Sequence, residues 1–260
     1  MSYDVRLDAI YVYVKNAGYA SINELSQIFD VSVSTVKRDI ETLCSKKLLR
    51  KVSGGVAIIA RDFIVGYSNY DSVSLDLSNK VNIAYALNEF INDGDTLFID
   101  QGYICNAAFQ FLKAADLTVA STSIPILTTI KDNVSHLFAL TGEIIQPKNV
   151  IRGYTLLDVM DTITTDKIIF SCDGINSNYR LVMNVEEDNA VLSKMLKMPG
   201  EKILLIDSSK IDRNSLFVNS DISKVDIMIT DEGISEEFAE GIKDKGVKLI
   251  IAHESGYTVK

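Results

Sequence analysis

Seven short apolar runs dominate the sequence after about residue 78. Each is rich in Val, Ile, Leu and Phe and lacks the polar–apolar alternation that a half-exposed strand shows. Strands of this composition are buried on both faces, as they are in parallel sheets covered by helices. We therefore predict buried strands at 96–100, 117–122, 136–142, 167–173, 202–207, 225–231 and 248–252.

Helical stretches separate these runs and complete the prediction of the fold. A succession of strand, helix and strand implies right-handed crossovers and a twisted, mostly parallel sheet. The predicted fold class of this region is therefore α/β. Helices are predicted at Lys80–Ile91, Asn106–Ala114, Pro125–Lys131, Asn189–Leu196 and Glu236–Lys243.

Many of the predicted strands end in a polar residue or a glycine. Ligands of open α/β sheets bind off the carboxyl ends of the strands, so these residues are candidates for a binding site. For any single residue, the alternative is a helix N-cap or a turn. The set comprises Asp100, Thr122, Gly142, Asp173, Asp207 and Asp231.

Residues 1–60, which we call the head, show the 3.6-residue period of short helices instead. A first helix is predicted near Val5–Lys15 and is ended by Gly18. Ser21 and Glu24 have the spacing of a capping box, which begins a second helix. The apolar sides of these two helices are predicted to be Val5, Ala9, Ile10, Val12, Val14, Leu25, Ile28 and Phe29.

A third helix is predicted from Val33 to about Ser45, with Ser32 as its N-cap. This helix indicates what the head binds. A short helix, a tight turn and a longer helix with exposed hydroxyls and cations are typical of a helix-turn-helix. Arg and Lys can contact guanine O6 and N7, and Ser or Thr can contact base edges or phosphates. The buried face is predicted to be Val33, Val36, Ile40 and Leu43, and the exposed face Ser34, Thr35, Lys37 and Arg38.

A hairpin signal follows the third helix. Two β-prone arms flank Ser53-Gly54-Gly55, and Arg50 and Lys51 begin the first arm. Such a hairpin can lie along the DNA backbone or minor groove as a wing; the alternative is a three-helix bundle with an edge hairpin and no ligand. The residues predicted to bind DNA are Ser32, Ser34, Thr35, Lys37, Arg38, Lys46, Lys47, Arg50, Lys51, Gly54 and Gly55.

Charge is distributed unevenly along the chain. Residues 1–56 carry eight basic and six acidic side chains, whereas the remainder carries 18 basic and 29 acidic ones. A basic head on an acidic remainder predicts a nucleic-acid reader attached to a part that avoids nucleic acid. The alternative is that the basic run is a solvated helix face.

Several classes of protein receive no support from the sequence. No apolar run reaches about 18 residues and no signal peptide is visible, so we expect no membrane partner and a cytoplasmic location. The three cysteines and two histidines lack metal-ligand spacing, and no dinucleotide-binding or P-loop motif is present. We therefore expect no metal, no cofactor and no enzyme activity. Acid/base work by Asp100, Asp173 and Asp207 is the alternative.

Two segments of the head carry a family resemblance. Ser32–Leu43 reads S-V-S-T-V-K-R-D-I-E-T-L, and Arg50 is followed by Gly54-Gly55. These segments resemble the DNA-binding signature of the DeoR family of bacterial sugar-metabolism repressors. Lys37 stands where that family typically has Arg, and Lys is a poorer bidentate reader of guanine.

Residues 75–252 resemble the same family over most of their length. The matching segments are similar to its entry helix, a D-G-D-T strand, a G-[IV]-[DN] turn, a D-S-S-K motif and a last T-D strand end. In this chain they are Asn79–Ala84, Asp93–Asp100, Gly174-Ile175, Asp207–Lys210 and Ile229–Asp231.

The resemblance implies a fold similar to ribose-5-phosphate isomerases and CoA transferases, with a pocket for a sugar phosphate. This chain departs from the family where its phosphate loop, typically D-S-G-T-T, reads Asp100-Gln-Gly-Tyr-Ile104, and where Glu143 replaces the second glycine of a pair. A carboxylate repels phosphate, so a different, weak or absent effector is the alternative. The residues expected to bind the effector are Lys80, Asp100, Gly102, Ser121, Thr122, Ser123, Gly142, Asp173 and Lys210.

We interpret the chain as a transcriptional regulator with a winged helix-turn-helix head at 1–60, a connector at 61–78 and a body at 79–260. The body is expected to bind the effector and to form a homo-oligomer, because one small head offers little surface for a long operator. The expected partners are double-stranded operator DNA and a phosphorylated sugar or related metabolite, which releases repression of carbohydrate-metabolism genes. The alternatives are a sugar-phosphate isomerase-like enzyme with an added head, and a constitutive DNA-binding oligomer with a decayed pocket.

Overall fold

Two compact units make up the structure. One contains the described residues of the head, and the other contains 77–253 and 257–260. Lys47 and nearly all of the predicted connector lie outside the described residues. The computed structural model describes residues 3–17, 19–46, 48–52, 54–58, 77–253 and 256–260.

The head combines helices with an antiparallel sheet whose strand order is β1-β3-β2. The third predicted helix, its Ser32 cap and the hairpin are all present at the predicted positions. The short strand β1 was not predicted. The elements are α1 (Tyr3–Ala17), β1 (Tyr19–Ser21), α2 (Ile22–Ile28), α3 (Val33–Ser45), β2 (Leu49–Val52) and β3 (Gly55–Ile58).

The predicted capping box at the start of α2 is confirmed. The Ser21 hydroxyl accepts a hydrogen bond from the Glu24 amide at 3.1 Å, and the Glu24 carboxylate accepts one from the Ser21 amide at 3.1 Å. Two amides that the helix leaves without intrahelical partners are thereby satisfied.

The buried side of α1 differs from the prediction. Leu7, Ile10 and Val14 enter the core of the head, whereas Val5 is 57% exposed and Val12 is 52% exposed. The prediction was wrong for these two valines because α1 is apolar on more than one side, so periodicity alone does not select the buried side. Two further residues placed on buried faces are also exposed, namely Ile28 and Val33.

The body is built on an eight-stranded sheet in the order β16-β15-β14-β12-β9-β4-β5-β6. Every pairing from β15 to β6 is parallel, which confirms the predicted α/β class. All seven predicted strands are present. The strands are β4 (Thr96–Ile99), β5 (Leu117–Ser121), β6 (Val134–Ala139), β9 (Lys167–Phe170), β12 (Glu201–Leu205), β14 (Ile227–Asp231), β15 (Lys248–His253) and β16 (Gly256–Val259).

Strand β6 is not buried on both faces, contrary to the prediction. It lies at the edge of the sheet, and Phe138 is 55% exposed. An apolar run does not reveal whether its strand has one neighbour or two, because that depends on the strand order. In the central strands Ile169 and Phe170, neighbours that point to opposite faces, are both fully buried, so helices cover both faces.

The strand order reverses between β4 and β9. From β4 the chain proceeds outwards through β5 to β6, and from β9 it proceeds in the other direction through β12, β14 and β15. Open α/β sheets bind their ligands beside such a reversal, off the carboxyl ends of the strands.

Small antiparallel elements, which were not predicted, are added to the main sheet. Their strands are only two to five residues long, too short for a periodic signal. They form the hairpin β7 (Glu143–Ile145) and β8 (Val150–Arg152), and a three-stranded sheet of β10 (Gly174–Ile175), β11 (Arg180–Met183) and β13 (Phe217–Asp221).

The helices of the body occur near their predicted places with shifted ends. Helix α5 begins three residues early because Gly102, with φ of 128°, supplies its N-cap. Helix α7 was not predicted. The helices are α4 (Leu77–Ala86), α5 (Tyr103–Phe111), α6 (Ile124–Leu127), α7 (Tyr154–Met160), α8 (Glu186–Met195) and α9 (Glu236–Asp244), with 3-10 turns at Leu87–Phe90, Ser208–Lys210 and Ile222–Lys224.

Candidate functional site

The first turn of α3 is fixed by the residue that caps it. The Ser32 hydroxyl accepts a hydrogen bond from the Thr35 amide at 3.2 Å and lies 2.8 Å from the Ser34 hydroxyl and 2.9 Å from the Thr35 hydroxyl. A polar cluster thus surrounds the helix N-terminus, where the helix dipole favours phosphate.

The outward side of α3 presents the predicted cations. Lys37, Arg38 and Lys46 are exposed, and none of them forms an ion pair within the described residues. Ser34 is exposed and Thr35 is half-buried. Exposed, unpaired cations on the second helix of a helix-turn-helix can contact bases or phosphates.

A buried ion pair holds α3 against α1. The Arg6 guanidinium donates to the Asp39 carboxylate at 2.7 Å and 3.2 Å, and the Asp39 side chain is 1% exposed. Asp39 thus lies on the buried side of α3, whereas the neighbouring Arg38 is exposed. Sequence reasoning missed this pair because the two residues are 33 positions apart.

The wing places its predicted residues in different environments. Lys51 is exposed and forms a 3.2 Å ion pair with Glu41, whereas Arg50 is half-buried. Gly54 has φ of 66°, which glycine adopts readily. Gly55 is buried, and a Cβ built on it would lie 2.2 Å from the Ala20 carbonyl oxygen. Gly55 therefore allows β1 and β3 to approach each other closely.

In the body, most of the predicted effector residues lie at the carboxyl ends of four neighbouring strands of the main sheet. Asp207 follows β12, Asp173 follows β9, Asp100 follows β4, and Ser121–Ser123 end β5. These residues flank the reversal of strand order between β4 and β9. The predicted gathering of polar strand ends is therefore present.

Asp100 is engaged by a residue that sequence reasoning missed. Arg152 is 2% exposed, and its guanidinium lies 3.3 Å and 3.4 Å from the two Asp100 oxygens and 3.1 Å from the Thr122 hydroxyl. Thr122 itself donates to Asp100 at 2.6 Å. Asp100 and Thr122 therefore form one buried network with Arg152.

The network continues from Arg152 to α8. Arg152 donates to Asp188 at 2.7 Å, and Lys148 donates to the other Asp188 oxygen at 2.7 Å. Burial alone raises the pKa of Asp188, but the charge of Arg152 and the hydrogen bonds from Lys148 and Arg152 outweigh it and lower that pKa. Burial lowers the pKa of Arg152, but the charges of Asp100 and Asp188 outweigh it and raise that pKa.

The hydroxyls of Ser121, Thr122 and Ser123 are fully buried and all donate to internal acceptors. Ser121 donates to the Ile99 carbonyl at 2.7 Å, and Ser123 donates to the Asn106 side chain at 2.7 Å. In this structure the three hydroxyls therefore donate their hydrogens to acceptors within the protein, which leaves none of these hydrogens for a ligand.

The two predicted cations, Lys80 and Lys210, contact polar groups that follow β12 and β9, across the strand reversal from Asp100 and Thr122. Lys80 lies 3.7 Å from an Asp207 oxygen and 5.8 Å from the centre of the Tyr103 ring. Lys210 donates to the Cys172 carbonyl at 2.9 Å. The Asp173 carboxylate accepts the Asn184 amide at 2.7 Å. Asp207 thus pairs with Lys80 and not with Lys210.

The two predicted glycines have conformations that favour glycine. Gly102, with φ of 128°, is the N-cap of α5, which begins just after β4, next to the strand reversal. Gly142 has φ of 155°, and a Cβ on it would lie 2.5 Å from the Arg152 carbonyl oxygen. Gly142 therefore lets the turn after β6 pack against the strand that carries Arg152.

Arg152 and Asp188 had weak signals in the sequence. Arg152 interrupts an apolar segment directly before Gly153, and Asp188 stands in the acidic first turn of a helix. Neither pattern reveals that the two side chains meet, 36 positions apart. Among the described residues, the structure has no group of three or more His, Cys, Asp or Glu side chains placed to hold a metal ion.

Two family models match the chain. Residues 6–62 match the DeoR-like helix-turn-helix domain, and residues 76–232 match the DeoR C terminal sensor domain. The described helices include none that is long and apolar enough to cross a membrane.

Curated relatives match along nearly the whole chain. The HTH-type transcriptional repressor GlcR of Bacillus subtilis (strain 168) is 24% identical over 98% of this chain and 98% of its own. The glycerol-3-phosphate regulon repressor of Escherichia coli (strain K12) is 28% identical over 94% and 97%. The lactose phosphotransferase system repressor of Staphylococcus epidermidis is 27% identical over 89% and 93%.

One group of solved structures is more distant. Ribose 5-phosphate isomerase A of Methanocaldococcus jannaschii superposes on 70% of this chain and 97% of its own, with 10% identity and a TM-score of 0.39. A score at this level supports no conclusion about function.

Proposed function

The chain belongs to the DeoR family of transcriptional regulators, and from this membership we propose that a phosphorylated sugar or related metabolite releases it from DNA. It is a DNA-binding regulator of transcription. Relatives named as repressors of a glycerol-3-phosphate regulon and a lactose phosphotransferase system support a role in carbohydrate metabolism.

The outward side of α3 is the observation that carries the DNA-binding proposal. Ser34, Lys37 and Arg38 stand on the exposed first turns of α3, and the wing follows. We propose that Arg38 reads a base in the major groove, while Lys46, Lys47, Arg50 and Lys51 contact phosphates. The glycines Gly54 and Gly55 shape the wing, and Ser32 and Thr35 order the helix start beside the backbone.

The test measures the affinity of the purified chain for operator and random DNA by fluorescence anisotropy, across a salt series. Arg38→Ala should cost about 1–3 kcal/mol on the operator and little on random DNA. Lys46→Ala should weaken both and flatten the log–log salt slope by about 0.9. Lys224→Ala, which removes an exposed cation from the body, is the control. Equal weakening on both DNAs would show that Arg38 only positions the head.

We propose that the effector binds beside the strand reversal between β4 and β9. Lys80, Lys210 and the N-terminal amides of α5 supply positive charge for a phosphate. Asp173 accepts sugar hydroxyls. The polar groups of Asp100, Thr122, Ser121 and Ser123 are engaged with Arg152 and other internal partners, so we propose that these residues shape the site without binding the effector directly. Gly142 shapes it by close packing against the Arg152 backbone.

A thermal-shift screen with sugar phosphates tests the effector site. A ligand at 100 times its Kd stabilises the folded state by about 2.7 kcal/mol. Lys210→Ala should abolish the effector-induced change in operator affinity and leave unliganded binding intact, with Lys224→Ala as the control. If Lys210 only anchors its turn to the Cys172 carbonyl, the substitution lowers stability and leaves the effector response unchanged.

A constitutive DNA-binding protein is the second candidate function. Two observations favour it. The hydroxyls of Ser121, Thr122 and Ser123 all donate to acceptors within the protein. Tyr103 and Ile104 stand where the family typically has the two threonines of its phosphate loop. Operator binding that no sugar phosphate shifts would support this candidate and contradict the effector proposal.

The remaining parts of the proposal concern the chain as a whole. We propose a head at 1–60, a connector at 61–78 and a body at 79–260 that forms a homo-oligomer. The relatives named as transcriptional regulators also support a cytoplasmic protein without enzyme activity. Turnover of ribose 5-phosphate by the purified chain would contradict the last point.

A further inference from the structure

A cavity of about 340 Å³ lies in the body, and its lining includes Ser208 and Ile211, which flank the predicted effector residue Lys210 in the sequence. Three segments line it: the turn between β10 and β11, the turn after β12, and the start of α9. None of the nine predicted effector residues is part of its lining. Its volume falls in the range of small-molecule sites, which is about 300–1,000 Å³.

An aromatic wall forms one part of the cavity. The rings of Tyr179 and Phe238 are 4.8 Å apart between centroids. Gly241 of α9 makes room for Tyr179, because a Cβ on Gly241 would lie 1.9 Å from the tyrosine hydroxyl oxygen. Tyr179 has φ of 57°, so the surrounding structure holds this ring in place against a local conformational cost.

The polar part of the lining is acidic. Asp212 and Glu237 are exposed, and neither carboxylate has a hydrogen bond or ion pair within the described residues. Among the described residues that line the cavity, none is a Lys, Arg or His. Lys245 approaches the Tyr179 ring at 5.8 Å but is paired with Asp221 at 2.9 Å. The local charge therefore attracts a cation and repels a phosphate.

The start of α9 does not reverse this preference. A helix N-terminus favours anions, but the Ser235 hydroxyl already accepts the Phe238 amide, and Glu236 and Glu237 occupy the first turn. Ser208 is likewise committed, since its amide and hydroxyl both donate to Asp231 at 2.8 Å and 2.6 Å.

We propose that this cavity binds a small organic cation, of the amine or quaternary ammonium class. Its cationic group lies near the carboxylates of Asp212 and Glu237, and its N-alkyl groups pack on Tyr179 and Phe238, because aromatic rings attract alkylammonium groups. The cavity lining shares the turn at 208–211 with Lys210 but contains none of the proposed effector residues. The proposal does not depend on the effector proposal, because its ligand has the opposite charge.

Choline is the probe, and its uncharged isostere 3,3-dimethyl-1-butanol is the matched control ligand. Titration calorimetry with the full chain, at ionic strength balanced with sodium chloride, should give saturable choline binding. The isostere should bind at least about tenfold more weakly, since it lacks the charge. Equal binding of the two ligands, or no saturable choline binding at millimolar concentrations, would overturn the proposal.

The double variant Asp212→Asn/Glu237→Gln tests the residues. It should weaken choline at least about tenfold and keep the fold, because Asn tolerates the left-handed φ of 54° at position 212. Asp132→Asn/Glu187→Gln removes the same charge from exposed positions outside the cavity and should leave choline affinity unchanged. Equal effects in the two double variants would place choline elsewhere. The first variant should also keep any response of operator binding to sugar phosphates.

Discussion

Arg152 shows how single residues of the body are tied to partners far away in the chain. Its guanidinium contacts Asp100, 52 positions before it, and Asp188, 36 positions after it. Desolvation of these charges is costly, and the ion pairs and hydrogen bonds offset the cost only while every partner is present. Removing one partner therefore leaves an uncompensated buried charge.

The substitution Asp188→Ala should destabilise the body by about 3–5 kcal/mol, as expected when one partner of a buried ion pair is lost. The matched control is Asp161→Ala, because Asp161 pairs with Lys194 while being 68% exposed. An exposed pair contributes at most about 1 kcal/mol. Urea unfolding followed by circular dichroism measures both changes. Similar losses in the two variants would show that the Arg152 network contributes little.

Lowering the pH should reduce the free energy of unfolding of the body through Asp188. The folded state lowers the pKa of Asp188, so its contribution to stability is present above the unfolded pKa of about 3.9 and is lost as pH falls through the lower folded pKa. The stability of wild type should therefore fall more steeply in this range than that of Asp188→Asn. Parallel curves of unfolding free energy against pH would contradict the expectation.

Two thiols of the body should resist alkylation in the folded protein. Burial raises the pKa of Cys105, and burial raises the pKa of Cys172 to about 12, so neither forms the reactive thiolate at neutral pH. Cys44 in the head is only half-buried. Iodoacetamide labelling followed by mass spectrometry should modify Cys44 first, and all three cysteines in urea. Early labelling of Cys105 in the native state would count against this.

At the scale of elements, the head depends on close packing between its hairpin and β1. Strand β3 pairs with β1 on one side and with β2 on the other, so it joins the wing to the rest of the head. The contact is close at Gly55, beneath the Ala20 carbonyl. The orientation of the wing relative to α3 thus depends on a residue without a side chain.

Gly55→Ala should displace β3 from β1 and cost about 1–3 kcal/mol, the range for inserting a methyl group into a packed site. In Gly54→Ala the new Cβ contacts only the Tyr19 hydroxyl, at 3.8 Å. The substitution should lower stability by about 1 kcal/mol, the cost of a left-handed backbone for a residue other than glycine. Operator affinity and thermal unfolding of the full chain measure both variants. A smaller effect at Gly55 than at Gly54 would show that the strands separate easily.

At the scale of the molecule, one head is a small DNA-binding unit. Single modules bury about 600–1,000 Å² on DNA, at the low end for a specific site. A symmetric assembly places two heads on half-sites related by a two-fold axis. The length of the operator and its symmetry therefore depend on how many copies of the chain associate.

The chain should sediment as a dimer or a larger homo-oligomer at micromolar concentrations, and it should protect an operator with two related half-sites. Analytical ultracentrifugation and DNase footprinting measure the two properties. Removal of the head should leave the oligomer intact if association is a property of the body. A monomer that retains full operator affinity would refute the prediction.

The sequence by itself determined the features that arise locally. Periodicity, capping and apolar runs are properties of neighbouring residues, so α3, the capping box at Ser21 and seven of the eight strands of the main sheet were predictable, as was the family. Tertiary structure decided what depends on distant residues: the exposed side of α1, the edge position of β6, and the meeting of Arg152 with Asp100 and Asp188. Strand order and burial are set by the whole fold, and spacing along the chain carries no record of them.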